Sequence, residues 1–410
     1  MSNERGGAVT GDAEQGLGLV PKLRFPEFSD YPLFETRLGQ VTEEGTARNR
    51  GQFTADVIMG VSKEDGMVPM QAHVIADDIS RYKVVRKDWF AYNPMRLNIG
   101  SIARWHGEED ALVSPDYVVF HCPKHQKEPS LLAAYFDHFR RSMQWDTFTN
   151  EAGDGGVRVR IYYRDIAQVR LSLPDRNEQK KIADCLSSLD DVIAAEEDRL
   201  AGLKARKKGL MQQLFPAEGQ TTPRLRFPEF RGAGDWEEKQ FGELIHTVTP
   251  PKKLQTSEYA LSGTFPVIDQ SQHMIAGWTD DSEAVIADNL PLIVFGDHTC
   301  VIKIASEPFA QGADGIKIIA PNGETTVEFL YQSLANEPLQ MEDYKRHFSK
   351  LKERRVCFPD RRTGEQQRIA DCLSTLDAQA TATRDYISAL NVHKAALMQQ
   401  LFPSPRPASA

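Results

Sequence analysis

Apolar residues recur at alternating steps of four and three along two long segments of the chain. This spacing keeps them on one stripe of an α-helix and is the heptad pattern of a coiled coil. Glu196 and Lys207 interrupt the first stripe, and Thr383 and Lys394 interrupt the second. The predicted coiled-coil seam consists of Ile182, Leu186, Leu189, Ile193, Leu200, Leu203, Leu210 and Leu214 in the first segment and of Ile369, Leu373, Leu376, Ile387, Leu390, Leu397 and Leu401 in the second.

Both segments carry the signals that start and stop a helix. Asp175 followed by Glu178 has the spacing of a capping box, and Thr363 is the expected N-cap of the second helix. Each segment ends at a Phe-Pro pair, at Pro216 and at Pro403, and proline cannot continue the hydrogen-bond ladder. Helices of about 37 residues are about 55 Å long.

A stripe of this kind also occurs on a helix that packs against the core of its own domain. A narrow seam with charged flanks, sustained over about five heptads, favours a coiled coil instead. Two copies in one chain supply both partners, and if a two-fold axis relates the halves, the helices run antiparallel.

The helical segments are copies of one sequence. Residues 178–216 align without a gap on residues 365–403, with 21 of 39 positions identical. A shorter repeat opens each half, since residues 21–28 return as residues 223–230. The stretches between the repeats, roughly 30–172 and 231–357, do not align with each other. The chain therefore alternates a variable block with a repeated helix.

The variable blocks mix short strand patterns with turns and a few helical stretches, so each is predicted to be an α/β globule. The predicted fold class is mixed α+β: two globules separated by two long helices that form an antiparallel coiled coil, with an internal pseudo-two-fold repeat. The expected divisions are a disordered tail at 1–20, a first globule at 21–172, a first helix at 173–216, a second globule at 217–357, a second helix at 358–403 and a tail at 404–410.

Composition narrows the classes of function. The apolar runs of this 410-residue chain are too short to cross a bilayer, and the N-terminus lacks the pattern of a secretory signal. Five scattered cysteines fit a reducing cytoplasm better than a disulfide scaffold. A net charge of −9 argues against a basic nucleic-acid coat protein but leaves room for DNA binding through local basic patches.

Several short patterns imitate a catalytic or metal site. Asp175, Glu178 and the lysine two residues later spell a nuclease signature, but they sit at one helix start instead of on separate strands around a metal. His121 and His125 lie close to Cys122, yet structural zinc usually needs two well-spaced pairs of ligands. No glycine-rich loop for a nucleotide or for S-adenosylmethionine follows a strand. We therefore expect no catalytic residue, no metal and no cofactor.

The repeated motifs resemble those of the specificity subunit of a Type I restriction-modification system. The resemblance rests on Leu-Pro-Asp followed by Glu-Gln-Lys-Lys-Ile-Ala within 173–183, and on its partner within 358–370. It rests also on the Leu-Met-Gln-Gln-Leu-Phe-Pro helix ends and on the Leu-Arg-Phe-Pro-Glu-Phe that opens each half. The order of blocks agrees over residues 21–403.

The resemblance implies that each variable block is a target recognition domain that reads one half of a split, asymmetric site in double-stranded DNA. Two modification methyltransferase subunits would dock on the helices, which set the spacer of the site, and these partners would supply the cofactor and methylate adenine. Restriction-translocation subunits would join the larger complex. The chain itself would catalyse nothing and would contact no membrane.

Basic, amide and small polar side chains in the variable blocks are the candidates for DNA contact, because phosphates and base edges are bound by such groups. A solvated surface charge is the alternative for any single residue. The candidates in the first block are Arg81, Lys83, Arg86, Lys87, Arg96, Asn98, Ser101, Arg158 and Arg160, and those in the second are Lys252, Lys253, Gln270, Gln272, His273, His298, Thr299, Lys350 and Lys352.

The repeat by itself fits a second class of function equally well. A non-enzymatic scaffold could bind proteins through its two globules and use the coiled coil as a spacer. The family motifs favour DNA, and a methyltransferase gene beside this one would separate the two readings.

Overall fold

The computed structural model describes residues 21–71, 74–124, 128–142, 145, 160–342 and 346–402. The chain forms two compact units, and each takes part of both long helices. The first unit runs to Ala195 and resumes at Ile387, and the second unit is Glu196–Tyr386. The tails predicted at 1–20 and 404–410 lie outside the described residues.

Two of the helices are far longer than the others, and they coincide with the repeated heptad segments, as predicted. The described helices are α1 Leu38–Val41, α2 Ala133–Phe139, α3 Tyr163–Ile166, α4 Arg176–Leu214, α5 Phe241–Leu244, α6 Val327–Asn336, α7 Phe348–Glu353 and α8 Glu365–Leu401.

The start of α4 shows how the repeated sequence begins a helix. One carboxylate oxygen of Asp175 accepts hydrogen bonds from the backbone N–H groups of Asn177 (2.6 Å) and Glu178 (3.3 Å), which would otherwise lack a partner. Glu178 does not complete the predicted capping box, because its carboxylate is bound by the guanidinium group of Arg24.

In the first unit the beginning of α4 packs beside the end of α8, and the two segments run antiparallel. Asp190 of α4 forms an ion pair with Lys394 of α8. Earlier in α4, Leu186 shares a hydrophobic core with Leu401, which lies later in α8. Residue numbers therefore rise along one segment as they fall along the other. Lys394, which interrupts the apolar stripe, is the residue that makes the ion pair.

In the second unit the end of α4 packs beside the beginning of α8 in the same way. Lys207 of α4 binds the carboxylate of Asp377 of α8, with its ammonium nitrogen 2.7 Å from both oxygens. Leu214, later in α4, shares a core with Leu373, earlier in α8. All of the predicted seam residues are buried or half-buried, so the stripe is the packed face of each helix.

Within the described residues the strands are short, and they divide into two sets of ten. The first set is β1 Phe34–Arg37, β2 Glu43–Glu44, β3 Met59–Ser62, β4 Gly66–Pro69, β5 Lys83–Val85, β6 Phe90–Tyr92, β7 Ile102–Arg104, β8 Ala111–Val113, β9 Val118–His121 and β10 Arg170–Leu173. The second set is β11 Glu237–Gln240, β12 Ile245–Val248, β13 Phe265–Ile268, β14 Gly277–Thr279, β15 Val285–Ile286, β16 Leu292–Gly296, β17 Ile302–Ala305, β18 Phe309–Gln311, β19 Ile316–Pro321 and β20 Arg355–Phe358.

The first globule is the part of the first unit that precedes α4. Its main sheet has the order β2-β9-β6-β7, and β1 pairs with β10. Two further pairs, β3-β4 and β5-β8, are linked by a parallel bridge between Ile58 and Leu112. The main sheet packs on α2 and on the helix segments through a cluster of aromatic rings, in which Phe90 stacks on Phe120 and meets Phe136 edge to face.

The second globule is the part of the second unit between α4 and α8. Its sheets have the orders β12-β19-β16-β17 and β14-β13-β18-β15, and β11 pairs with β20. Adding ten to each strand number of the first globule reproduces this arrangement, including the parallel contact of β13 with β18. The two variable blocks, whose sequences do not align, therefore share one topology.

The repeated residues hold each globule to its helices by matching contacts. Arg24 binds both carboxylate oxygens of Glu178, and Arg226 does the same to Glu365 at 2.7 and 2.6 Å. Both glutamates are almost fully buried, where a charge needs a partner. Glu178, which is part of the pattern that imitates a nuclease signature, is thus a structural anchor.

The glutamine that follows each glutamate is a second matching anchor. The side-chain amide of Gln179 donates to the carbonyl oxygens of Ser130 (2.7 Å) and Pro174 (2.9 Å). The amide of Gln366 donates to the carbonyl oxygens of Glu324 (3.0 Å) and Pro359 (2.7 Å). Each glutamine ties the first turn of its helix to a loop of the globule.

Candidate nucleic-acid interface

The first globule has a surface made by two neighbouring connections, the turn at 63–65 between β3 and β4 and the nine-residue loop at 93–101 between β6 and β7. The hydroxyl of Ser101 donates to the carbonyl oxygen of Val61 at 3.1 Å and joins the longer loop to β3, the strand that leads into the turn. Gly100 adopts a positive φ of 87°, and a Cβ there would lie 3.1 Å from the side chain of Lys63. We call residues 63–65 and 93–101 the two-loop surface of the first globule.

Three of the predicted DNA-contact residues lie on this surface, and they are not equivalent. Arg96 and Asn98 are exposed beside the short 3-10 turn Leu97–Ile99. Ser101 is buried, and its hydroxyl is engaged by the backbone of β3. Arg96 and Asn98 can reach a ligand, whereas Ser101 holds the loop.

The second globule has the same surface, made by the loop at 269–276 between β13 and β14 and the turn at 297–301 between β16 and β17. The hydroxyl of Thr299 donates to the carbonyl oxygen of Gln270 at 2.8 Å and joins them. Gly296 makes room for this contact, since a Cβ there would lie 2.3 Å from the hydroxyl of Thr299. Residues 269–276 and 297–301 are the two-loop surface of the second globule.

Five predicted residues of the second block are gathered here: Gln270, Gln272, His273, His298 and Thr299. Gln272 and His273 are exposed, and the other three are half-buried. The side-chain amide of Gln270 is directed toward the carbonyl oxygen of Asp314, 3.4 Å away. The exposed pair is therefore the part of the surface that a ligand meets first.

The two surfaces differ in which connection is long. In the first globule the β3–β4 turn has three residues and the β6–β7 loop has nine. In the second globule the β13–β14 loop has eight and the β16–β17 turn has five. Each globule thus presents one extended loop at the same place of a shared topology, but from a different pair of strands.

A cleft of about 900 Å³ adjoins the two-loop surface of the first globule. It is lined by Asn93 and Met95 of the loop and by Lys83, Arg160 and Tyr162. The ammonium group of Lys83 donates to the carbonyl oxygen of Tyr117 at 2.6 Å, and burial lowers its pKa. The cleft brings two predicted cations, Lys83 and Arg160, beside the extended loop.

Other predicted residues of the first block lie away from this surface. Arg86 and Lys87 precede β6, at the opposite end of that strand from the loop, and form ion pairs with Asp110 and Glu108. Arg81 is exposed next to β5. Arg158 lies outside the described residues.

The predicted lysines of the second block are spread over its surface. Lys253 is 3.2 Å from the carboxylate of Asp314, beside the two-loop surface, whereas Lys252 binds Asp281 at 2.7 Å. Lys350 and Lys352 lie on α7; Lys350 pairs with Glu342, and Lys352 lies over the ring of Phe348. The second unit brings Lys253 to the site and leaves the other three apart.

Sequence reasoning missed Lys303 on β17. Its side chain is almost fully buried, and its ammonium group donates to the backbone of the loop at 269–276. The sequence Ile-Lys-Ile-Ala at 302–305 predicts that the lysine faces solvent, but Lys303 and Ala305 occupy the buried face. Both faces of this sheet are covered, so the alternation of apolar and polar residues does not identify the buried face here.

Among the described residues, no group of three or more histidines, cysteines or acids is arranged to hold a metal ion. Within those same ranges no helix is long and apolar enough to span a membrane.

Comparison with known proteins gives one family for part of the chain. Residues 233–391 match the model of the Type I restriction modification DNA specificity domain. A putative type I restriction enzyme MjaX specificity subunit of Methanocaldococcus jannaschii is 26% identical over 192 residues, which is 44% of this chain and 44% of the relative. The alignment thus spans less than half of the length of that curated relative.

Solved structures extend the likeness to nearly the whole fold. The crystal structure of the S subunit of a Type-I restriction-modification system from M. genitalium matches with a TM-score of 0.64 at 15% identity, over 94% of this chain and 99% of that one. A chain from a study of complex assembly and conformational transition of the type I R-M system matches with a TM-score of 0.50 at 15% identity, over 91% and 98%. At these identities the likeness concerns the fold.

Proposed function

We propose, from the premise that this chain belongs to the family of Type I restriction-modification specificity subunits, that it recognises a bipartite DNA sequence. The observation that carries the proposal is the two-loop surface, which occurs at the same place in both globules on one topology but with unrelated residues. A shared frame with different surface residues is suited to reading two different half-sites in one DNA duplex.

The exposed residues of these surfaces have the chemistry that base reading needs. Arginine binds guanine and asparagine or glutamine binds adenine in the major groove. Arg96 and Asn98 supply such groups in the first globule, and Gln272 supplies one in the second. Arg160 and Lys253, beside the surfaces, are placed to bind phosphates, which position the protein without reading sequence.

Specificity subunits as a family are non-catalytic, and we propose that this chain likewise leaves the chemistry to its partners. Two modification methyltransferase subunits dock on α4 and α8, whose length sets the spacer between half-sites, and restriction-translocation subunits join the larger complex. In support, the paired helices keep their packed faces inward and leave charged faces exposed along both segments.

The test is reconstitution of the chain with the methyltransferase encoded beside it, followed by sequencing of the methylated bases. We expect methylation at one split, asymmetric sequence, and no methylation by the methyltransferase alone. A control combines that methyltransferase with an unrelated specificity subunit. Methylation that does not change when this chain is exchanged would contradict the proposal and would favour a protein-binding scaffold.

A further inference from the structure

A single buried lysine closes the extended loop of the second globule. Lys303 is 5% exposed, and its ammonium nitrogen lies 2.7 Å from the carbonyl oxygen of Asp269. The same nitrogen donates to the carbonyl oxygen of His273, and a carboxylate oxygen of Asp269 is 3.9 Å away. The two carbonyls are four residues apart, so one side chain fixes both ends of the span 269–273.

A second contact fixes the loop from the neighbouring turn. The hydroxyl of Thr299 donates to the carbonyl oxygen of Gln270, between the two carbonyls that Lys303 holds. The carbonyls of this five-residue span thus accept three hydrogen bonds from buried or half-buried side chains. These contacts restrict the backbone at the base of the loop.

The tip of the same loop is exposed and carries mixed chemistry. Gln272 and His273 offer hydrogen-bonding groups, while Met274 is 48% and Ile275 is 40% exposed. Amide groups read adenine, and apolar side chains contact the methyl group of thymine. A rigid base with an exposed tip of this composition is suited to reading base edges.

The first globule provides an internal comparison. Lys303 pairs with Val294 in the second globule, and the topologically equivalent pair in the first globule is Ala103 with Ala91. There the β3–β4 turn has three residues and offers no span for a lysine to hold. The lysine therefore occurs where the loop is long and is replaced by alanine where it is short.

We propose that Lys303 is a positioning residue that holds the loop at 269–276 in the conformation that reads one DNA half-site, with Gln272, His273 and Met274 meeting the bases. This inference rests on the proposed function of the chain. A buried ammonium group acts here through backbone carbonyls and does not itself touch DNA. Base recognition requires groups held to within about 0.5 Å, and such precision needs support of this kind.

The experiment compares Lys303→Met and Thr299→Val, each of which removes a contact to the loop at nearly constant volume. Lys317→Met is the matched control. Lys317 lies on β19 of the same sheet and pairs with Phe295, so it occupies the face opposite to Lys303, over the ring of Phe348. Each variant is reconstituted with the methyltransferase subunits and tested on DNA that varies one base pair at a time. Amide hydrogen exchange of residues 269–276 is measured on the same samples.

Both test variants should exchange faster in the loop and should lose roughly tenfold discrimination at one or two base pairs of a single half-site, about the value of one base contact. Discrimination at the other half-site and by Lys317→Met should be unchanged, and Lys303→Arg should restore part of the loss. If Lys303→Met does not fold, Thr299→Val carries the test alone.

Faster loop exchange with unaltered discrimination would overturn the positioning role while leaving the proposed function intact. Equal losses at both half-sites would also overturn it, because they indicate general destabilisation. A wild-type complex without any sequence preference would instead refute the proposed function, and the role of Lys303 with it.

Discussion

The two globules agree in how they are anchored and differ in what they expose. Arg24 with Glu178 and Arg226 with Glu365 are the same contact made twice. The two-loop surfaces, by contrast, have their long loop between different strands and have unrelated sequences. Anchoring contacts are fixed by the repeated helices, whereas the surface is free to vary because no repeated residue depends on it. On the proposed function, this difference assigns assembly to the repeated part of the chain and sequence selection to the variable part.

Exchange of a whole globule tests this separation with the largest expected effect. Replacing residues 30–172 by the equivalent block of a relative should change one half-site completely and leave the other intact, because the anchors at Arg24 and Glu178 stay in place. Sequencing of methylated sites reads the outcome. A change in both half-sites would show that the globules do not read independently.

Removing an anchor should damage either unit by a similar amount. Glu178→Ala and Glu365→Ala each leave a largely buried arginine without its partner, which costs about 3 kcal/mol of folding free energy. Denaturant unfolding measures the loss. Glu27→Ala, which breaks the exposed pair with Lys181, is the control and should have no measurable effect. Unequal losses from the two buried anchors would weaken the equivalence of the units.

The first unit should also lose stability in mild acid through His138. Burial lowers the pKa of His138 to about 4, with Asp137 and Asp190 opposing and Lys394 and Arg141 reinforcing the shift. The unfolded histidine titrates near 6.5, so the unfolded state binds the proton first and stability falls as pH drops from 6.5 toward 4. Between pH 7.5 and 5 the loss is about 2 kcal/mol.

His138→Gln provides the matched control for this prediction. Glutamine is chosen because the second unit already uses one: Gln332 of α6 donates to the carboxylate of Asp377 at 2.9 Å. A glutamine side chain does not titrate. Unfolding curves of the variant should lose most of the dependence on pH between 7.5 and 5. A variant that keeps the full dependence would assign it to other groups.

The smallest expected effect is that of a single base contact in the first globule. Arg96→Ala should relax discrimination at one base pair of one half-site by about 1 kcal/mol, roughly fivefold. An arginine that bound only phosphate would weaken methylation of all sequences alike. Asn98→Ala tests the neighbouring position on the same DNA panel. If both variants leave the panel unchanged, the loop at 93–101 does not read bases.

The two long helices could be predicted because the heptad pattern that marks them is long and occurs twice in the sequence. Each heptad stripe runs the length of its helix, and Glu178 and Glu365 recur with their arginine partners. The matching topology of the globules could not be predicted, since strands of two to six residues carry too little pattern and their order depends on contacts distant in sequence. Arg86 and Lys87 were predicted to contact DNA for the same reason as Arg96. Only the structure shows that they lie at the opposite end of strand β6 from the loop that carries Arg96.

The ion pairs of the helices record how such a chain could have arisen. Asp190 binds Lys394, and Asp377 binds Lys207; adding 187 to Asp190 and to Lys207 gives Asp377 and Lys394. A chain with a single copy would offer one aspartate and one lysine, and two such chains could satisfy each other about a two-fold axis. This pattern is the one expected if the gene arose by duplication and fusion of a shorter gene whose product was a homodimer. Fusion would free the two globules to diverge, since a mutation in one would no longer be imposed on the other.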